Sequence, residues 1–419
     1  MSLDRKVTLN MTAQLNSHSR YASKSRTYHG VSIGPLRQRE PEIIIASIQR
    51  RQAAIGPNTH TDHFEKFLET AGIRPRILTP FSSFKTVAYP VLAARRLIDL
   101  VSKPVGVWWF LRFRRLFLRL CLSHALRQGQ AAVIYAKCPN SAQAALEARK
   151  NSGQKVVMAV HFNRSEAEEW YLAGRIRKGD WVYRGIRNLE SELLPKLDGL
   201  HFVSQFMRDY IHEHHPEAAK CKSIVLPNFI EDPGSAAKGE PKGDLISIGS
   251  LEPRKNQVYL IQVLHEARLL GHRYSLTLVG QGPDRRRLQR LARELGVLDQ
   301  VQFLGFKRNA ARLLPMYRAY AHSALIENFP FVLVESAAYG LPMLASPVGG
   351  VPEVFFDGEQ GFYWPLNDPT EGARKLIALL EDKAIYTRLA EGARKRFEAH
   401  YTAELVGPQL MNFLLEIAR

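Results

Sequence analysis

Residues 327 to 342 of the chain read ENFPFVLVESAAYGLP. Two carboxylates eight positions apart, Glu327 and Glu335, flank the start of an apolar segment that predicts a helix beginning near Pro330. The first NH groups of a helix have no partner within it, and the helix dipole adds positive charge there. A diphosphate is therefore a suitable ligand in front of this helix. The alternative is that Glu327 only stabilises the helix end and that Glu335 is a solvated surface residue.

The chain has 419 residues and a formal net charge of +18 at pH 7. This length predicts two domains of ordinary size, each with its own core. The positive charge favours polyanionic partners such as nucleotide phosphates, anionic lipid headgroups or nucleic acid. Nucleic acid is disfavoured because the charge is dispersed along the chain and no recognition motif is present.

The three cysteines, Cys121, Cys138 and Cys221, are far apart in the sequence and form no CxxC pair. They predict neither a disulfide framework nor a zinc site, which favours a cytoplasmic location. Residues 1 to 40 are polar and lack an apolar segment of signal-peptide type, so they predict a flexible basic tail. No uninterrupted apolar run reaches membrane-spanning length.

Short β-rich runs alternate with helix-period segments after this tail, which is typical of parallel sheets covered by helices. The first group of predicted strands comprises residues 42–49, 131–136, 155–162, 199–204 and 223–227. The second group comprises residues 244–250, 274–280, 301–306, 319–325 and 341–346. Between the groups lies EDPGSAAKGEPKG, residues 231 to 243, whose Gly, Pro and charged residues predict a linker.

The pattern predicts an α/β protein with two Rossmann-like, doubly wound domains that face each other across a cleft. The expected first domain spans residues 41 to 230 and the second spans residues 244 to 400, followed by a C-terminal helix at residues 401 to 419. Open α/β sheets bind ligands beyond the carboxyl ends of their strands. The cleft between the two domains is therefore the expected active site.

The first domain opens with a strand, loop and helix unit. The strand at residues 42–49 is followed by a predicted loop that contains Gly56, Asn58 and His60, and then by a helix at residues 63 to 70. This order places the loop at the carboxyl end of the strand and hence beside the cleft.

Two cations follow the first strand of the second domain. The turn GSLEPRKN, residues 249 to 256, places Arg254 and Lys255 where they can reach phosphate oxygens. Arginine acts there as a planar fork and lysine as a point charge, and either one stabilises a diphosphate leaving group. The alternative is a pair of solvated surface cations before a helix.

Taken in order, these segments resemble the retaining family 4 glycosyltransferases of the GT-B fold, also called glycosyl transferases group 1. GSLEPRKN is similar to that family's G-R-L-x-x-x-K turn, and LVGQGP to its strand-to-helix glycine loop. The two glutamates match a family pair separated by seven residues, and YGLPMLASPVGGVPEV resembles the G-x-P-V-x-x-x-x-x-G-G-x-x-E segment. The match covers nearly all of residues 244 to 400. It is looser in the first domain, through Leu226-Pro227-Asn228 and the strand that ends in His161.

The resemblance implies the retaining transfer of a hexose from a UDP-, GDP- or ADP-sugar to a glycan or lipid-linked acceptor. It assigns Lys255 to the donor diphosphate and Glu335 to the ribose. It assigns Glu327 and His161 to the transferred sugar, as the expected catalytic residues. Four residues are expected to hold the phosphates with their backbone: Asn328, Phe329, Pro330 and Phe331. The rest of the expected donor-binding set is Gly249, Ser250 and Arg254.

The resemblance also implies an acceptor-side loop formed by Gly56, Asn58 and His60, with no cofactor and no metal. The sequence agrees on the metal, because it contains no Asp-x-Asp pair of the kind that bridges a divalent cation to a sugar nucleotide. The loop reads Gly56-Pro57-Asn58 where the family has two adjacent glycines, so acceptor binding is expected to be unusual or the activity lost.

Two further positions depart from the family pattern. The family's phosphate-binding arginine falls on Ser250, which carries no charge, and a family glycine falls on Phe229. We hypothesise that Arg254 partly replaces the missing cation. Two alternative functions remain open at this point, a sugar-nucleotide epimerase of similar shape and a non-catalytic binding protein that retained the fold.

Residues 103 to 128 read KPVGVWWFLRFRRLFLRLCLSHALRQ and combine aromatic with basic side chains. Such a helix suits the interface of an anionic membrane, so the protein is expected to be cytoplasmic or peripheral on the inner face of the membrane. The alternative is an ordinary helix of the first domain that buries its aromatic face.

Overall fold

A computed structural model describes residues 26–28, 31–33, 41–51, 56–128, 130–234 and 240–419. The chain divides into two units, Met1–Glu40 and Pro41–Arg419. In the first unit, strands β1 (Arg26–Tyr28) and β2 (Val31–Ile33) pair antiparallel. The rest of the predicted basic tail lies outside the described residues, as do residues 235 to 239 of the predicted linker.

Six parallel strands form the first sheet of the second unit. Their bounds are Glu42–Ala46 (β3), Arg76–Leu78 (β4), Ala132–Ala136 (β5), Gln154–Val160 (β6), Gly199–Phe202 (β7) and Ser223–Val225 (β8). The strand order is β4-β3-β5-β6-β7-β8, so the direction of winding reverses between β3 and β5. Every position of β5 is buried, and this strand accordingly forms an unbroken apolar run in the sequence.

A second sheet of six parallel strands follows along the chain. Its strands are Gly243–Ile248 (β9), Leu276–Val279 (β10), Val301–Gly305 (β11), Tyr317–His322 (β12), Met343–Ala345 (β13) and Gly361–Tyr363 (β14). The order is β11-β10-β9-β12-β13-β14, with the reversal between β9 and β12. Two sheets of this kind confirm the predicted pair of doubly wound α/β domains.

Helices connect the strands in both domains. Those that precede β9 are Gly56–Thr70 (α1), Lys85–Ala93 (α2), Arg95–Val101 (α3), Lys103–Ala125 (α4), Pro139–Ala148 (α5), Glu166–Leu172 (α6), Trp181–Leu193 (α7) and Gln205–His214 (α8). Those that follow are Gln257–Leu269 (α9), Arg285–Glu294 (α10), Phe331–Ala338 (α11), Val351–Val354 (α12), Pro369–Glu381 (α13), Lys383–His400 (α14) and Ala403–Ala418 (α15).

The last helix, α15, returns to the first domain and packs against α1, β5 and β6. A bridge between Ile230 and Thr402 lies where the chain crosses back. Small residues allow the close packing, because a Cβ at Gly199 would lie 2.2 Å from Ile417 Cδ1 and one at Gly407 would lie 2.6 Å from Phe67 Cγ. The core of the first domain is therefore completed by the end of the chain.

The structure corrects the prediction for the loop after β3. Residues 56 to 61 form the first turns of α1, which begins at Gly56 and not at residue 63. Proline is compatible with a first turn because its missing NH would have no partner there. His60 consequently lies on a helix and is fully buried.

The sequence patterns also fail to predict β4 and β14. Each strand has three residues and lies at the edge of its sheet. Their sequences are RIL and GFY, and a basic residue in β4 and a glycine in β14 interrupt the apolar pattern by which a strand is recognised.

The predicted basic aromatic helix is α4, and most of it packs inside the first domain. Its buried residues include Phe110, Phe117 and Leu118, and Arg114 Nη1 donates to the carbonyl of Ile48 at 2.8 Å. For this stretch the structure agrees with the alternative of an ordinary helix of the first domain. Among the described residues, no helix is both long and apolar enough to cross a membrane.

Candidate active site

A cavity of about 1380 Å³ is lined by residues of both domains. The wall of the first domain includes Lys137 and His161, which directly follow β5 and β6. The wall of the second domain includes Gly249 and Gly280, which directly follow β9 and β10. The cavity therefore lies at the carboxyl ends of parallel strands, where open α/β sheets bind their ligands.

An ion pair joins Lys255 to Glu327 in the wall of the second domain. Lys255 Nζ donates to Glu327 Oε1, and Glu327 is only 6% exposed. His322 Nε2 lies 3.4 Å and Arg254 Nη1 lies 3.9 Å from the same oxygen. Burial alone raises the pKa of Glu327, but Lys255, His322 and Arg254 outweigh it and hold the pKa far below its ordinary value. Glu327 is therefore ionised at neutral pH and accepts hydrogen bonds without donating any.

Arg254 is surrounded by carboxylates. Its Nη2 lies 2.9 Å from Glu252 Oε1. Burial lowers the pKa of Arg254, but the charges of Glu327, Glu169 and Glu252 raise it by more. Glu169 belongs to α6 of the first domain, so Arg254 is attracted to a carboxylate of the opposite wall. A phosphate that bound Arg254 would share it with these acids.

Asn328 connects the two domains at the start of the predicted phosphate-binding backbone. Its Nδ2 donates to the carbonyls of Val160 and Phe162, at 3.0 Å each, and its Oδ1 accepts from Ser204 Oγ at 2.5 Å. Phe329 also bonds to the first domain, because its carbonyl accepts from Asn228 Nδ2 at 2.7 Å.

The remaining predicted phosphate-binding residues form the beginning of α11. Pro330 is the N-cap and Phe331 the first residue of this helix, as the sequence predicts. Both line the cavity together with Asn328 and Phe329. The positive end of the α11 dipole therefore lies at the cavity wall.

The adjacent glycines Gly349 and Gly350 allow a loop to approach this segment. A Cβ at Gly349 would lie 1.9 Å from the carbonyl oxygen of Glu327, and one at Gly350 would lie 1.8 Å from that of Asn328. Gly350 N also donates to Glu327 O at 3.1 Å. The two glycines therefore let their loop pack directly against the backbone of Glu327 and Asn328.

The turn at Gly249 and Ser250 lines the same wall. A Cβ at Gly280 would lie 1.8 Å from the carbonyl oxygen of Gly249, and one at Gly282 would lie 2.1 Å from that of Leu251. The glycines of the LVGQGP segment therefore make room for the neighbouring turn.

Glu335 lies on α11 and also lines the cavity, so both Glu327 and Glu335 border the same cavity. It forms no ion pair within the part of the chain that the structure describes. Burial raises the pKa of Glu335 to about 7. Its carboxylate is therefore available to accept hydrogen bonds from a ligand when it is ionised.

His161 follows β6, as predicted, and lines the wall of the first domain. Its Nε2 has no hydrogen-bond partner among the described side chains and backbone. Burial, and then the charges of Lys137 and His201, lower the pKa of His161 well below its ordinary value. The imidazole is therefore neutral, and its Nε2 is a buried polar atom without a partner among the described residues.

The predicted acceptor-side residues separate in the structure. Asn58 lines the cavity, and its Nδ2 donates to Arg50 O at 2.7 Å. His60 lies behind the wall, with its ring centroid 4.8 Å from that of His161. Gly56 is the first residue of α1.

Sequence reasoning does not identify Lys137, Glu169 or His322 as residues of this site. Lys137 and His322 are charged or titratable residues at the carboxyl end of a buried strand, which is the signal that could have found them. Glu169 lies within a helix, and nothing in its local sequence indicates its approach to Arg254. No cluster of three or more His, Cys, Asp or Glu side chains suited to a metal ion occurs among the described residues.

Two family models match the chain, one over each domain. Residues 55–232 match the family described as Glycosyltransferase Family 4, and residues 228–396 match the family described as Glycosyl transferases group 1. The chain belongs to the family 4 glycosyltransferases of group 1. This result confirms the resemblance drawn from the sequence motifs.

Curated relatives match the chain over parts of their length. The N-acetyl-alpha-D-glucosaminyl L-malate synthase of Bacillus anthracis is 33% identical over 144 residues, which is 34% of this chain and 38% of the relative. A GDP-mannose-dependent alpha-(1-6)-phosphatidylinositol monomannoside mannosyltransferase of Mycolicibacterium smegmatis is 30% identical, over 38% of this chain and 44% of the relative. The chain thus covers less than two thirds of the length of these relatives.

Solved structures resemble this protein along most of the chain. A sucrose-phosphate synthase from Thermosynechococcus elongatus has a TM-score of 0.67 and 18% identity, covering 90% of this chain and 99% of its own. Anabaena HepE, solved in complex with UDP and glucose, has a TM-score of 0.63 and 18% identity, covering 89% and 99%. These likenesses confirm the GT-B fold.

Proposed function

We propose that the protein transfers a hexose from a nucleotide-diphosphate sugar to a glycan or lipid-linked acceptor, with retention of the anomeric configuration. The observation that carries this proposal is the convergence of Lys255, Glu327, Glu335 and the first turn of α11 on one cavity wall. A lysine and a helix N-terminus suit a diphosphate, while two carboxylates suit the hydroxyls on either side of it.

The donor would bind with its diphosphate in front of Phe331 and beside Lys255. Glu327, which is ionised, would accept hydrogen bonds from hydroxyls of the transferred sugar. Glu335 would accept them from the ribose. The names of two similar proteins support such donors, since one relative is described as GDP-mannose-dependent and one neighbour was solved with UDP and glucose.

A transfer with retention brings the acceptor hydroxyl close to the leaving diphosphate on the same face of the sugar. Negative charge grows on the diphosphate as the bond to the sugar breaks, and Lys255 with Arg254 would stabilise it without a metal ion. His161 is neutral and its buried Nε2 has no partner among the described residues, so it would bind a hydroxyl of the transferred sugar from the opposite wall.

A thermal-shift screen of UDP-, GDP- and ADP-sugars tests the donor, because a ligand of the folded state raises the apparent stability. The anomeric configuration of the product by NMR tests retention, and the same reaction with and without EDTA tests the independence of metal. If no nucleotide sugar stabilises the protein, the proposal fails. A donor that is isomerised without any acceptor would instead indicate an epimerase, and binding without turnover would indicate a non-catalytic protein.

We further propose that the first domain docks on an anionic membrane, where a lipid-linked acceptor would be found. The docking site would be the α2–α4 surface, defined as the exposed apolar side chains of α2, α3 and the beginning of α4. On α3, Leu97, Leu100 and Val101 are 70%, 83% and 90% exposed. The other members are Val87, Tyr89, Val105 and Trp108.

The charges near the α2–α4 surface support an anionic lipid as its partner. Exposed cations lie among the apolar residues, at Lys85, Arg96, Lys103 and Arg112. The only acidic residue between positions 82 and 126 is Asp99, which pairs with Arg95 and Arg175. Exposed apolar side chains flanked by cations suit the interfacial zone of an anionic bilayer.

A further inference from the structure

Lys137 is a buried lysine of the cavity wall without an acidic partner in the part of the chain that the structure describes. It directly follows β5, lines the cavity and is 3% exposed. Its Nζ lies 2.8 Å from His60 Nδ1 and 4.5 Å from the ring centroid of Tyr135. No ion pair of Lys137 occurs among the described residues, whereas Lys255 of the opposite wall pairs with Glu327.

The groups packed around Lys137 cannot neutralise an ammonium charge. His201 Nε2 donates to Leu226 O at 3.0 Å, so its Nδ1 accepts from Tyr135 OH at 2.6 Å and the ring is neutral. Burial is the main cause that lowers the pKa of His60, His161 and His201, and the charge of Lys137 lowers each of them further. Burial also raises the pKa of Tyr135, which keeps its hydroxyl protonated.

Three acidic residues of the first domain, Asp62, Glu166 and Glu169, line the cavity, but none pairs with Lys137. Glu169 accepts a hydrogen bond from Asn163 Nδ2 at 2.9 Å and is attracted to Arg254. The linker acids of the lining are also paired, Glu231 with Lys66 and Asp232 with Arg394. Glu166 accepts a hydrogen bond from Asn140 Nδ2 at 3.2 Å, and burial with the nearby Glu190 and Glu169 raises the pKa of Glu166 to about 8. Asp62 belongs to α1, and burial raises its pKa also. None of these acids lies within ion-pair distance of Lys137 in the described structure.

A buried charge without a partner is costly, and the cost disappears when a ligand brings the missing counter-charge. We propose that Lys137 is the subsite for an anionic group of the acceptor, a carboxylate or a phosphate, held beside His161 on the wall of the first domain. The donor diphosphate has its own cations on the opposite wall, at Arg254 and Lys255. This inference rests on the proposed function, because it takes the ligand of this wall to be the acceptor.

Isothermal titration with malonate, a small dianion, tests the subsite, and glycerol serves as the uncharged control. Lys137→Met should remove one malonate site or weaken it by roughly 10- to 100-fold, as expected for a hydrogen bond to a charged group. Lys137→Arg should keep the site because it keeps the cation. Lys220→Met, which changes an exposed lysine paired with Glu217, should change nothing. Equal stoichiometry and affinity in Lys137→Met and the unmodified protein would overturn the assignment.

Proton uptake provides a second test that needs no variant. Burial lowers the pKa of Lys137 well below its ordinary value, and a bound anion would raise it again. Malonate binding should therefore draw a proton onto Lys137 in the pH range where the free protein has lost it, so the titration is repeated at several pH values up to the ordinary pKa of lysine. Titrations in two buffers of different ionisation enthalpy measure this uptake, and its absence would refute the proposal even if Lys137→Met fails to fold.

Nucleotide binding separates this inference from the proposed function. Lys137→Met should bind UDP, GDP or ADP as the unmodified protein does, because the residue lies outside the donor wall. If no nucleotide binds but malonate still binds at Lys137, the proposed donor fails and the anion subsite stands. If a nucleotide binds and malonate does not, only the subsite fails.

Discussion

Lys255 and Glu327 form an ion pair in the cavity although 72 positions separate them in the sequence. The pairing follows from the sheet, because Lys255 lies after β9 and Glu327 after β12, and these strands are neighbours. Each residue is the main counter-charge of the other. Removal of Lys255 leaves the buried Glu327 with only His322 and Arg254 beside it, at 3.4 and 3.9 Å. Loss of one partner of a buried pair generally costs more than the pair itself contributes.

Substitution of Lys255 should weaken both donor binding and the fold. Lys255→Met should reduce nucleotide-diphosphate affinity by roughly 10- to 100-fold. It should also lower the free energy of unfolding by about 3 kcal/mol or more, because Glu327 loses its partner. The double variant Lys255→Met/Glu327→Gln should recover part of that stability in urea unfolding. A double variant less stable than either single one would contradict a charge-based origin.

Glu327 and Glu335 should differ in what their loss affects. Glu327→Gln keeps the volume and removes the charge, so transfer should fall by about 100-fold or more while UDP, GDP or ADP still binds. Glu335→Gln should instead weaken nucleotide binding, because its proposed ligand is the ribose. Titration calorimetry and initial rates measure the two effects. If the two variants lost transfer rate and nucleotide affinity to the same extent, the proposed assignment of Glu327 to the sugar and Glu335 to the ribose would be wrong.

Arg254 should contribute to donor binding in place of the cation that Ser250 lacks. Arg254→Ala should lower donor affinity and turnover, since the residue lines the cavity beside Glu327. Ser250→Arg introduced into that variant should recover part of the affinity. Unchanged affinity and turnover in Arg254→Ala would refute the replacement hypothesis.

Buried acids of the first domain should make stability fall as pH rises. Burial is the main cause that raises the pKa of Glu166 to about 8 and that of Glu190 to about 7, above the 4.5 that is ordinary for glutamate. Below about pH 4.5 the two acids make their full contribution to the free energy of unfolding. This contribution is lost as pH rises through their pKa values in the folded protein, by at most about 1.4 kcal/mol per pH unit for each group.

Glu166→Gln should therefore flatten the decline in unfolding free energy between about pH 5 and pH 8. Urea unfolding at several pH values measures it. Glu213→Gln, at an exposed position, is the matched control. An unchanged slope in Glu166→Gln would mean that the acid is ionised at little cost in the folded state.

The α2–α4 surface should bind anionic vesicles. Leu100→Ser/Val101→Ser should reduce co-sedimentation about tenfold or more, because two large apolar side chains no longer insert. Leu269→Ser is the control, since Leu269 is 69% exposed on α9 of the second domain. Added salt should weaken the binding of the unmodified protein. Failure to sediment with anionic vesicles, or a dimer that the double substitution abolishes, would assign the surface to another partner.

The sequence predicts the parts of the site that depend on local patterns. The spacing of Glu327 and Glu335 and the helix beginning near Pro330 all lie within one stretch, so a single chain segment suffices to place them. The strand that precedes His161 can also be predicted from the sequence, because every residue from Val156 to the end of the strand is buried and apolar.

The sequence does not predict which distant residues meet. Asn328 bonds to Val160 across 168 positions, and Lys137 contacts His60 across 77. These contacts depend on how the two sheets and α1 pack, and no periodicity within one element encodes them. The helical state of residues 56 to 61 is missed for a similar reason, because glycine and proline there read as a loop when tertiary packing is unknown.

The return of α15 to the first domain restricts how this protein can be cut into fragments. A polypeptide that stopped at the linker would leave the surfaces around Phe67 and Gly199 uncovered. Hydrophobic patches would then be exposed to solvent. Separately produced halves would therefore assemble only if Ala403–Ala418 were grafted onto the N-terminal piece, or if both pieces were made together. A circular permutant that joins α15 to the segment before β3 would place all strands of the first sheet and their covering helix in one continuous stretch.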